Sequence, residues 1–254
     1  MSEAAKPNRV ARSVALVLVF VLLAVGLPAF LRLIGAHDWL DGQGLGPDAF
    51  TYLYVGVGVI LIVALTMGLR RLGPGGALGA LGLSTFAVQG VVLMVLALAV
   101  LAFTASWLRH PFQFPGLGTA LSLGLIGPFA EELLFRGFLF RQGRQWAGLP
   151  FWGSAILSSV LFGLGHLSQG ETLGAALLAA AVTFVGGIVF CWVTERWGSL
   201  WPAIMLHAGM DFLWLSFLLG DNAIGGEIGN AARLAGLAVV ILGTLVLTRG
   251  QKAA

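Results

Sequence analysis

Residues 117–140 form a long apolar run, LGTALSLGLIGPFAEELLFRGFLF, which three ionisable side chains interrupt: Glu131, Glu132 and Arg136. A run of this length can cross a bilayer as a helix. A charged side chain near the bilayer centre costs about 2.5–3.5 kcal/mol on insertion scales, so each of the three needs a partner or a water-filled cavity. The run therefore predicts a transmembrane helix that carries a functional site.

The spacing within this run gives the two carboxylates different environments. On a helix Glu132 and Arg136 lie four residues apart with the acid N-terminal, an arrangement that favours an ion pair. Glu131 points about 100° away from Glu132, so we expect it to be the carboxylate that is free for chemistry. A purely structural ion pair would explain Glu132 and Arg136 but would leave Glu131 without a role.

The composition indicates a polytopic membrane protein. Of the 254 residues, 58% are hydrophobic and only 10% are charged, and the mean hydropathy of +0.95 lies far outside the range of soluble globular domains. A single cysteine, Cys191, excludes an internal disulfide and a cysteine-based zinc site. The net charge of +3 is small, so membrane lipid, and no nucleic acid, is the expected partner.

Apolar runs along the chain predict an all-α fold of about eight transmembrane helices, forming a single membrane domain over residues 1–254. The first run follows several basic residues and could be a signal peptide. It is longer than a typical signal segment and lacks a clear small-residue cleavage site, so we expect a retained helix. The predicted spans are residues 14–31, 50–69, 86–107, 118–140, 152–167, 173–193, 200–219 and 231–247.

Glycine-rich stretches have two predicted roles. Residues 73–84 contain so many glycines that we expect a re-entrant or interfacial segment there rather than a regular helix. Within the later spans, Gly163, Gly165, Gly186 and Gly187 are expected to allow close helix packing rather than to take part in a site.

Lysine and arginine residues are distributed unequally between the two sides of the predicted bundle. Because cytoplasmic loops are enriched in these residues, we expect both termini to be cytoplasmic and the protein to reside in an inner or plasma membrane. One side collects Lys6, Arg9, Arg12, Arg70, Arg71, Arg141, Arg144, Arg196, Arg249 and Lys252, whereas the other has only Arg32, Arg109 and Arg233.

Few other polar side chains lie inside the spans, and three of them are candidate partners of Glu131. If the fourth and fifth spans form a hairpin that turns at residues 148–150, Glu131 and His166 lie at about the same height and can face each other. His207 and Asp211 are four residues apart and share one helix face. Asp211 could orient the His207 imidazole, act as a metal ligand or bind a substrate amide.

The chemistry of this set points to hydrolysis. One glutamate with two histidines is similar to the ligand set of a hydrolytic zinc site, which keeps a position open for water. In that case Glu131, His166, His207 and Asp211 would be the ligands of Zn²⁺. The same groups suit a metal-free mechanism, with Glu131 as general base and a histidine polarising the carbonyl. The residues alone leave both mechanisms open.

Three motifs together resemble the CPBP family of intramembrane proteases, which includes CAAX prenyl endopeptidases and bacteriocin-processing, Abi-type proteins. They are E-E-x-x-x-R at residues 131–136, F-x-x-x-H at residues 162–166 and H-x-x-x-D at residues 207–211, where the family has Asn or Asp. The resemblance covers residues 81–214, the expected protease core. It includes LGLS at residues 81–84, which is similar to the family's lead into the third helix.

The resemblance implies an endopeptidase that hydrolyses a peptide bond of a membrane-associated substrate, either prenylated or helical. Prenyl endopeptidases tend to carry Asn where this chain has Asp211. An ionised Asp cannot donate a hydrogen bond to an oxyanion, so a ligand or imidazole-orienting role is favoured here, and prenyl specificity carries over less directly. The implied roles are water activation by Glu131, support by Glu132 and Arg136, and binding of metal or oxyanion by His166, His207 and Asp211.

A non-catalytic membrane protein is the alternative, either an ion-coupled transporter or a scaffold with a buried polar cluster. Transporters usually place ionisable residues along a path across the membrane, and many contain inverted repeats of broken helices. Here the ionisable residues gather at one depth, and the chain has no evident repeat. The distribution favours the peptidase.

Overall fold

The computed structural model describes residues 6–44, 48–108 and 110–250, and within these ranges it is helical with no β-strand. Arg109 and Lys252 of the charge count therefore lie outside the described residues. The predicted all-α membrane fold is confirmed. The described segments that are long and apolar enough to cross a membrane are Asn8–Leu33, Ala49–Arg70, Val88–Trp107, Leu117–Gln145, Phe151–Gln169, Leu173–Trp197 and Glu227–Leu247.

The seventh predicted span, residues 200–219, is a shorter helix. It has 17 residues and is therefore about 26 Å long at 1.5 Å per residue, slightly less than the hydrocarbon core of about 30 Å. The count of about eight is thus consistent with seven long helices and one short one.

The helical elements are numbered in chain order. The α-helices are α1 (Lys6–Val21), α2 (Leu27–Leu33), α3 (Ala36–Gly42), α4 (Ala49–Arg70), α5 (Pro74–Leu81), α6 (Val88–Trp107), α7 (Leu117–Leu121), α8 (Gly127–Glu131), α9 (Arg141–Gln145), α10 (Phe151–Gly165), α11 (Leu173–Trp197), α12 (Trp201–Phe217) and α13 (Glu227–Leu247). The π-helical segments are π1 (Leu22–Gly26), π2 (Ser122–Ile126) and π3 (Glu132–Phe140), and a short 3₁₀-helix covers Leu167–Gln169.

The segment Leu117–Gln145, here called the site helix, carries Glu131, Glu132 and Arg136. It alternates between α- and π-helical geometry. Pro128 lies in the first turn of α8, and it has no N–H with which to bond the Gly124 carbonyl. The wider turn of π2 directly precedes it and accommodates the proline ring. Glu131 is the last residue of α8 and Glu132 the first of π3. A change of helix geometry therefore falls between the two carboxylates.

Two glycines allow α10 and α11 to approach each other closely. A Cβ on Gly163 would lie 2.6 Å from the carbonyl oxygen of Ala180, and one on Gly187 would lie 2.8 Å from Oγ of Ser159. The packing role predicted for these two glycines is confirmed. It is wrong for Gly165 and Gly186, because a Cβ at either position would meet nothing within 4 Å among the described residues.

The glycine-rich segment 73–84 contains the short helix α5, contrary to the prediction. Pro74 lies in its first turn, where a missing N–H has no cost. Gly82 ends the helix with a φ of 85° in the left-handed region that favours glycine. Nε of Arg141 donates to the carbonyl oxygen of Ala80 over 2.9 Å. A helix forms there because side-chain donors from α9 satisfy its last turn.

Arginine side chains join the helices at one end of the bundle. They belong to α1, α4, α9 and α11, so the basic residues that the charge count assigns to one side also meet in space. Which side of the membrane this end faces stays a prediction. The contacts are Arg12 Nη1 to the Trp146 carbonyl oxygen (2.8 Å), Arg70 Nη1 to Gln145 Oε1 (2.9 Å), Arg144 Nε to Glu195 Oε1 (3.1 Å) and Arg196 Nε to Thr248 Oγ1 (2.9 Å).

Candidate active site

A buried carboxylate joins the site helix to α12. Oε1 of Glu132 lies 2.8 Å from Nη1 of Arg136 and also 2.8 Å from Nδ1 of His207. The side chains of Glu132 and Arg136 are almost completely buried. The ion pair that the i,i+4 spacing predicts is therefore present, and it has a third member from another helix. Because the ionised carboxylate can only accept a hydrogen bond, Nδ1 of His207 must carry the hydrogen.

Aromatic rings surround the buried guanidinium. Cζ of Arg136 lies 4.2 Å from the ring centroid of Phe162 and 5.1 Å from that of Phe190. Within the described residues, Nε and Nη2 of Arg136 have no hydrogen-bond partner, so cation–π contacts stabilise the part of the charge that Glu132 does not reach. The same two rings contact the His207 imidazole, with centroids 6.0 and 5.4 Å away. This packing fixes the imidazole plane.

Glu131 and Asp211 face the other nitrogen of His207. Oε2 of Glu131 lies 3.8 Å from Nε2, and Oδ2 of Asp211 lies 3.7 Å from it. Both carboxylate side chains are partly exposed, at 42% and 45%. Separations of this size are too long for direct hydrogen bonds and suit an intervening water or substrate atom. The exposed carboxylates and Nε2 thus border a common space.

The hydrogen bond at Nδ1 of the imidazole belongs to Glu132, and the roles predicted for Asp211, to orient the imidazole, to bind a metal or to bind a substrate amide, stay predictions. The imidazole is held through Nδ1 by Glu132, and Asp211 is beyond hydrogen-bond distance of Nε2. Asp211 instead lies on the reactive side of the ring. Its carboxylate is placed to contact whatever occupies the space next to Nε2.

His166 lies near the cluster without joining it directly. It ends α10, its Nδ1 lies 2.8 Å from the Phe162 carbonyl oxygen, and its ring lies 4.6 Å from the Phe162 ring. No carboxylate within the described ranges forms an ion pair with it at 4 Å or less, and the expectation that His166 and Glu131 face each other at the same height stays a prediction. Phe162 is the residue that connects His166 with His207 and Arg136.

The described residues do not fit a metal site as they are arranged. No group of three or more His, Cys, Asp or Glu side chains among them is gathered closely enough to hold a metal ion. Nε2 of His207 lies within 4 Å of both Glu131 and Asp211, and Nδ1 of His166 contacts the carbonyl oxygen of Phe162 in its own helix. Zn²⁺ therefore stays a prediction.

An apolar groove opens beside Glu131. It has an empty volume of about 310 Å³, open solvent included, and two of its lining residues, Ala130 and Leu134, flank the catalytic candidate on the site helix. Sequence reasoning missed Tyr54, the polar side chain of this lining, whose presence inside the second span was the available signal. The remaining lining residues are Leu23, Val55, Gly58, Val59 and Ile62.

The helices and this cluster define a class, the polytopic helical membrane proteins with a carboxylate–histidine site buried among their spans. Residues 113–213 match the sequence profile described as type II CAAX prenyl endopeptidase Rce1-like. Over this segment the chain is similar to that family of membrane peptidases, and the resemblance to CAAX prenyl endopeptidases is confirmed there. All six predicted site residues lie within the matched segment.

Two relatives share part of the sequence. The uncharacterized protein YyaK of Bacillus subtilis (strain 168) is 30% identical over 112 residues, which cover 44% of this chain and 37% of YyaK. An uncharacterized 24.3 kDa protein of Escherichia coli is 31% identical over 99 residues, which cover 39% of this chain and 43% of that protein. The chain thus matches about two fifths of the length of these curated relatives. No solved structure matches it.

Proposed function

We propose that the protein is an intramembrane endopeptidase that hydrolyses a peptide bond of a membrane-associated substrate. The observation that carries the proposal is the pair formed by the partly exposed Glu131 carboxylate and Nε2 of His207, 3.8 Å apart beside an apolar groove. A partly exposed carboxylate can act as a base. A neighbouring imidazole with a fixed tautomer can donate or accept a proton at a defined position.

In the proposed reaction Glu131 takes a proton from a water molecule as the water oxygen bonds to the carbonyl carbon of the substrate. The negative charge that develops on the carbonyl oxygen is stabilised by His207 when Nε2 carries a hydrogen. With hydrogen on both nitrogens the imidazole ring is positively charged. Glu132 stabilises this charge, as the carboxylate does in hydrolases with an Asp–His pair. The C–N bond then breaks, and the proton passes from Glu131 to the leaving nitrogen. The products are a carboxylic acid and an amine, which become a carboxylate and an ammonium group when the acid passes its proton to the amine.

The buried ion pair would support this chemistry indirectly. Glu132 holds the His207 ring through Nδ1, and Arg136 holds the Glu132 carboxylate in place through Oε1. Neither group faces the space beside Nε2, so both are expected to act on His207 rather than on the substrate. Asp211 borders that space and is proposed to bind a substrate amide N–H.

The first experiment compares the termini of membrane proteins in cells that contain the wild type, Glu131→Gln or Glu171→Gln at equal abundance. Glu171 is an exposed carboxylate outside the cluster, so its variant is the matched control. New termini are expected with the wild type and the control and none with Glu131→Gln. The same termini in all three would favour a non-catalytic transporter or scaffold.

A second experiment addresses the substrate class and the metal. Purified protein is incubated with a farnesylated C-terminal CAAX peptide and with an unlipidated apolar helical peptide, each before and after exhaustive treatment with a chelator. Cleavage that survives chelation would support the glutamate mechanism. Cleavage that is lost and then restored by Zn²⁺ would show that the ligands rearrange around a metal. Preference between the peptides would separate prenylated from helical substrates.

A further inference from the structure

Two buried serines of α10 bond the main chain of π3, the segment that carries the buried ion pair. Oγ of Ser158 donates to the carbonyl oxygen of Phe135 over 2.9 Å, and Oγ of Ser154 donates to that of Phe140 over 2.8 Å. Both serines are at most 1% exposed. Two carbonyl oxygens of π3 thus accept hydrogen bonds from side chains of the neighbouring helix. Neither bond belongs to the main-chain hydrogen bonds of α10.

The spacing of these bonds matches a π-helix and not an α-helix. Ser154 and Ser158 are four residues apart, which is about one turn of the α-helix that carries them. The carbonyls of Phe135 and Phe140 are five residues apart, which is the hydrogen-bond repeat of a π-helix. In an α-helical segment, the carbonyl one turn before Phe140 would be that of Arg136. Both serines can therefore donate at the same time only when this segment is π-helical.

The helix geometry of π3 decides where its first side chain points. Replacing π- by α-helical geometry shifts the chain by one residue relative to α9, and one residue corresponds to a rotation of about 100°. Glu132 is the first residue of π3. Such a rotation would turn its carboxylate away from Nδ1 of His207, which now lies 2.8 Å from Oε1. A π-helix is a rare geometry that needs support from its surroundings.

We propose that Ser158, together with Ser154, is a positioning residue that selects the π-helical geometry and so holds the Glu132 carboxylate against His207. The two hydroxyls act through the main chain of π3. They touch neither the imidazole nor the space beside Nε2 of His207, here called the substrate space. The catalytic consequence rests on the proposed peptidase function. The positioning of His207 does not, because it is a property of the folded protein.

The neighbouring Ser159 provides a matched control. It lies on the same helix and is 1% exposed, but its hydroxyl has no hydrogen-bond partner in the part of the chain that the structure describes. Ser158→Ala and Ser159→Ala each remove one buried oxygen atom from adjacent positions of α10. Only the first removes a donor to π3.

The decisive measurement is the ¹⁵N NMR spectrum of the His207 imidazole, assigned by comparison with His207→Gln. At a pH at which the imidazole is neutral, the wild type and Ser159→Ala should show the single tautomer with hydrogen on Nδ1, whereas Ser158→Ala should show a mixture of tautomers. With a peptide that the wild type cleaves, kcat of Ser158→Ala should fall by about 10- to 100-fold with KM unchanged. A wild-type imidazole spectrum in Ser158→Ala would overturn the proposal.

A second variant covers the case in which Ser158→Ala does not fold. Ser154→Ala removes the other donor and should shift the His207 tautomer in the same direction by a smaller amount, because Phe140 lies farther from Glu132 along the chain. A folded Ser154→Ala with an unchanged spectrum would then refute the role of the pair. If the tautomer shifts in the variants but the wild type cleaves nothing, the positioning stands and the peptidase function fails.

Discussion

Nδ1 of His207 and Oε1 of Glu132 lie 2.8 Å apart although the two residues are 75 positions apart in the sequence. The same oxygen accepts a hydrogen bond from Arg136, so one atom joins a guanidinium and an imidazole inside a helix bundle. Burying a single carboxylate is costly, and it is tolerated here because two cationic or donor groups share it. The contact connects the site helix with α12 and determines which imidazole nitrogen faces the substrate space.

Glu132→Gln should destabilise the protein strongly, because it leaves the Arg136 charge buried without a counter-charge. Removing one partner of a buried ion pair typically costs about 3–5 kcal/mol. Thermal unfolding of the purified variant in detergent measures the loss. Glu195→Gln is the control, because it breaks the more exposed pair with Arg144 and should cost about 1 kcal/mol or less. Equal losses in the two variants would contradict the buried character of the Glu132 pair.

The local part of this network was predictable and the cross-helix part was not. The ion pair of Glu132 and Arg136 follows from a spacing of four residues within one helix, which the chain fixes regardless of tertiary structure. The contact with His207 depends on how α12 is rotated about its axis. Spacing from the turns estimates depth along a helix but carries no information on this rotation, so the contact of His207 with Glu132 could not be predicted.

The helix geometry of the site was also beyond the prediction. The argument that Glu131 and Glu132 point about 100° apart assumes a regular α-helix, whereas the helix changes to π geometry between these two residues. The free carboxylate was nevertheless assigned to Glu131, because Glu132 has an arginine at the favoured spacing whichever geometry is adopted. In segment 73–84, glycine content alone overstated the tendency to break a helix, since Arg141 from a distant part of the chain stabilises the end of α5.

Asp211→Asn should retain most of the activity, within about tenfold of the wild type, while His207→Gln should abolish it. Asp211 lies 3.7 Å from Nε2 of His207, beyond hydrogen-bond distance, and Glu132 bonds the ring at Nδ1, so we expect that the charge of Asp211 is not required to hold the imidazole. An Asn side chain keeps an acceptor for a substrate N–H and adds a donor. The rate of peptide cleavage by the purified variants checks this. Loss of activity in Asp211→Asn comparable to that in His207→Gln would show that the charge itself takes part in the reaction.

Both ends of the chain should face the cytoplasm. The arginines of α1, α4, α9 and α11 meet at one end of the bundle, and cytoplasmic ends of membrane proteins are enriched in basic residues. Reporters that are active only on one side of the membrane, fused separately to the N- and C-terminus, measure the orientation. Cytoplasmic activity is expected for both fusions. A fusion after residue 108, at the end of α6, should report the opposite side, and the same side for all three would contradict the arrangement of the spans.

Two adjacent glycines of α11 should respond in opposite ways to the same substitution. A Cβ on Gly187 would lie 2.8 Å from Oγ and 2.9 Å from Cβ of Ser159, so Gly187→Ala forces α10 and α11 apart and should cost about 1–3 kcal/mol. A Cβ on Gly186 meets nothing within 4 Å of the described residues. Gly186→Ala should therefore stabilise the helix by about 0.5–1 kcal/mol, because alanine loses less conformational entropy on folding. Thermal unfolding of the two variants measures both effects. Because Ser159 follows the positioning residue Ser158, Gly187→Ala should also lower activity. A destabilised Gly186→Ala would contradict the prediction, because it would mean that α10 and α11 pack through Gly186.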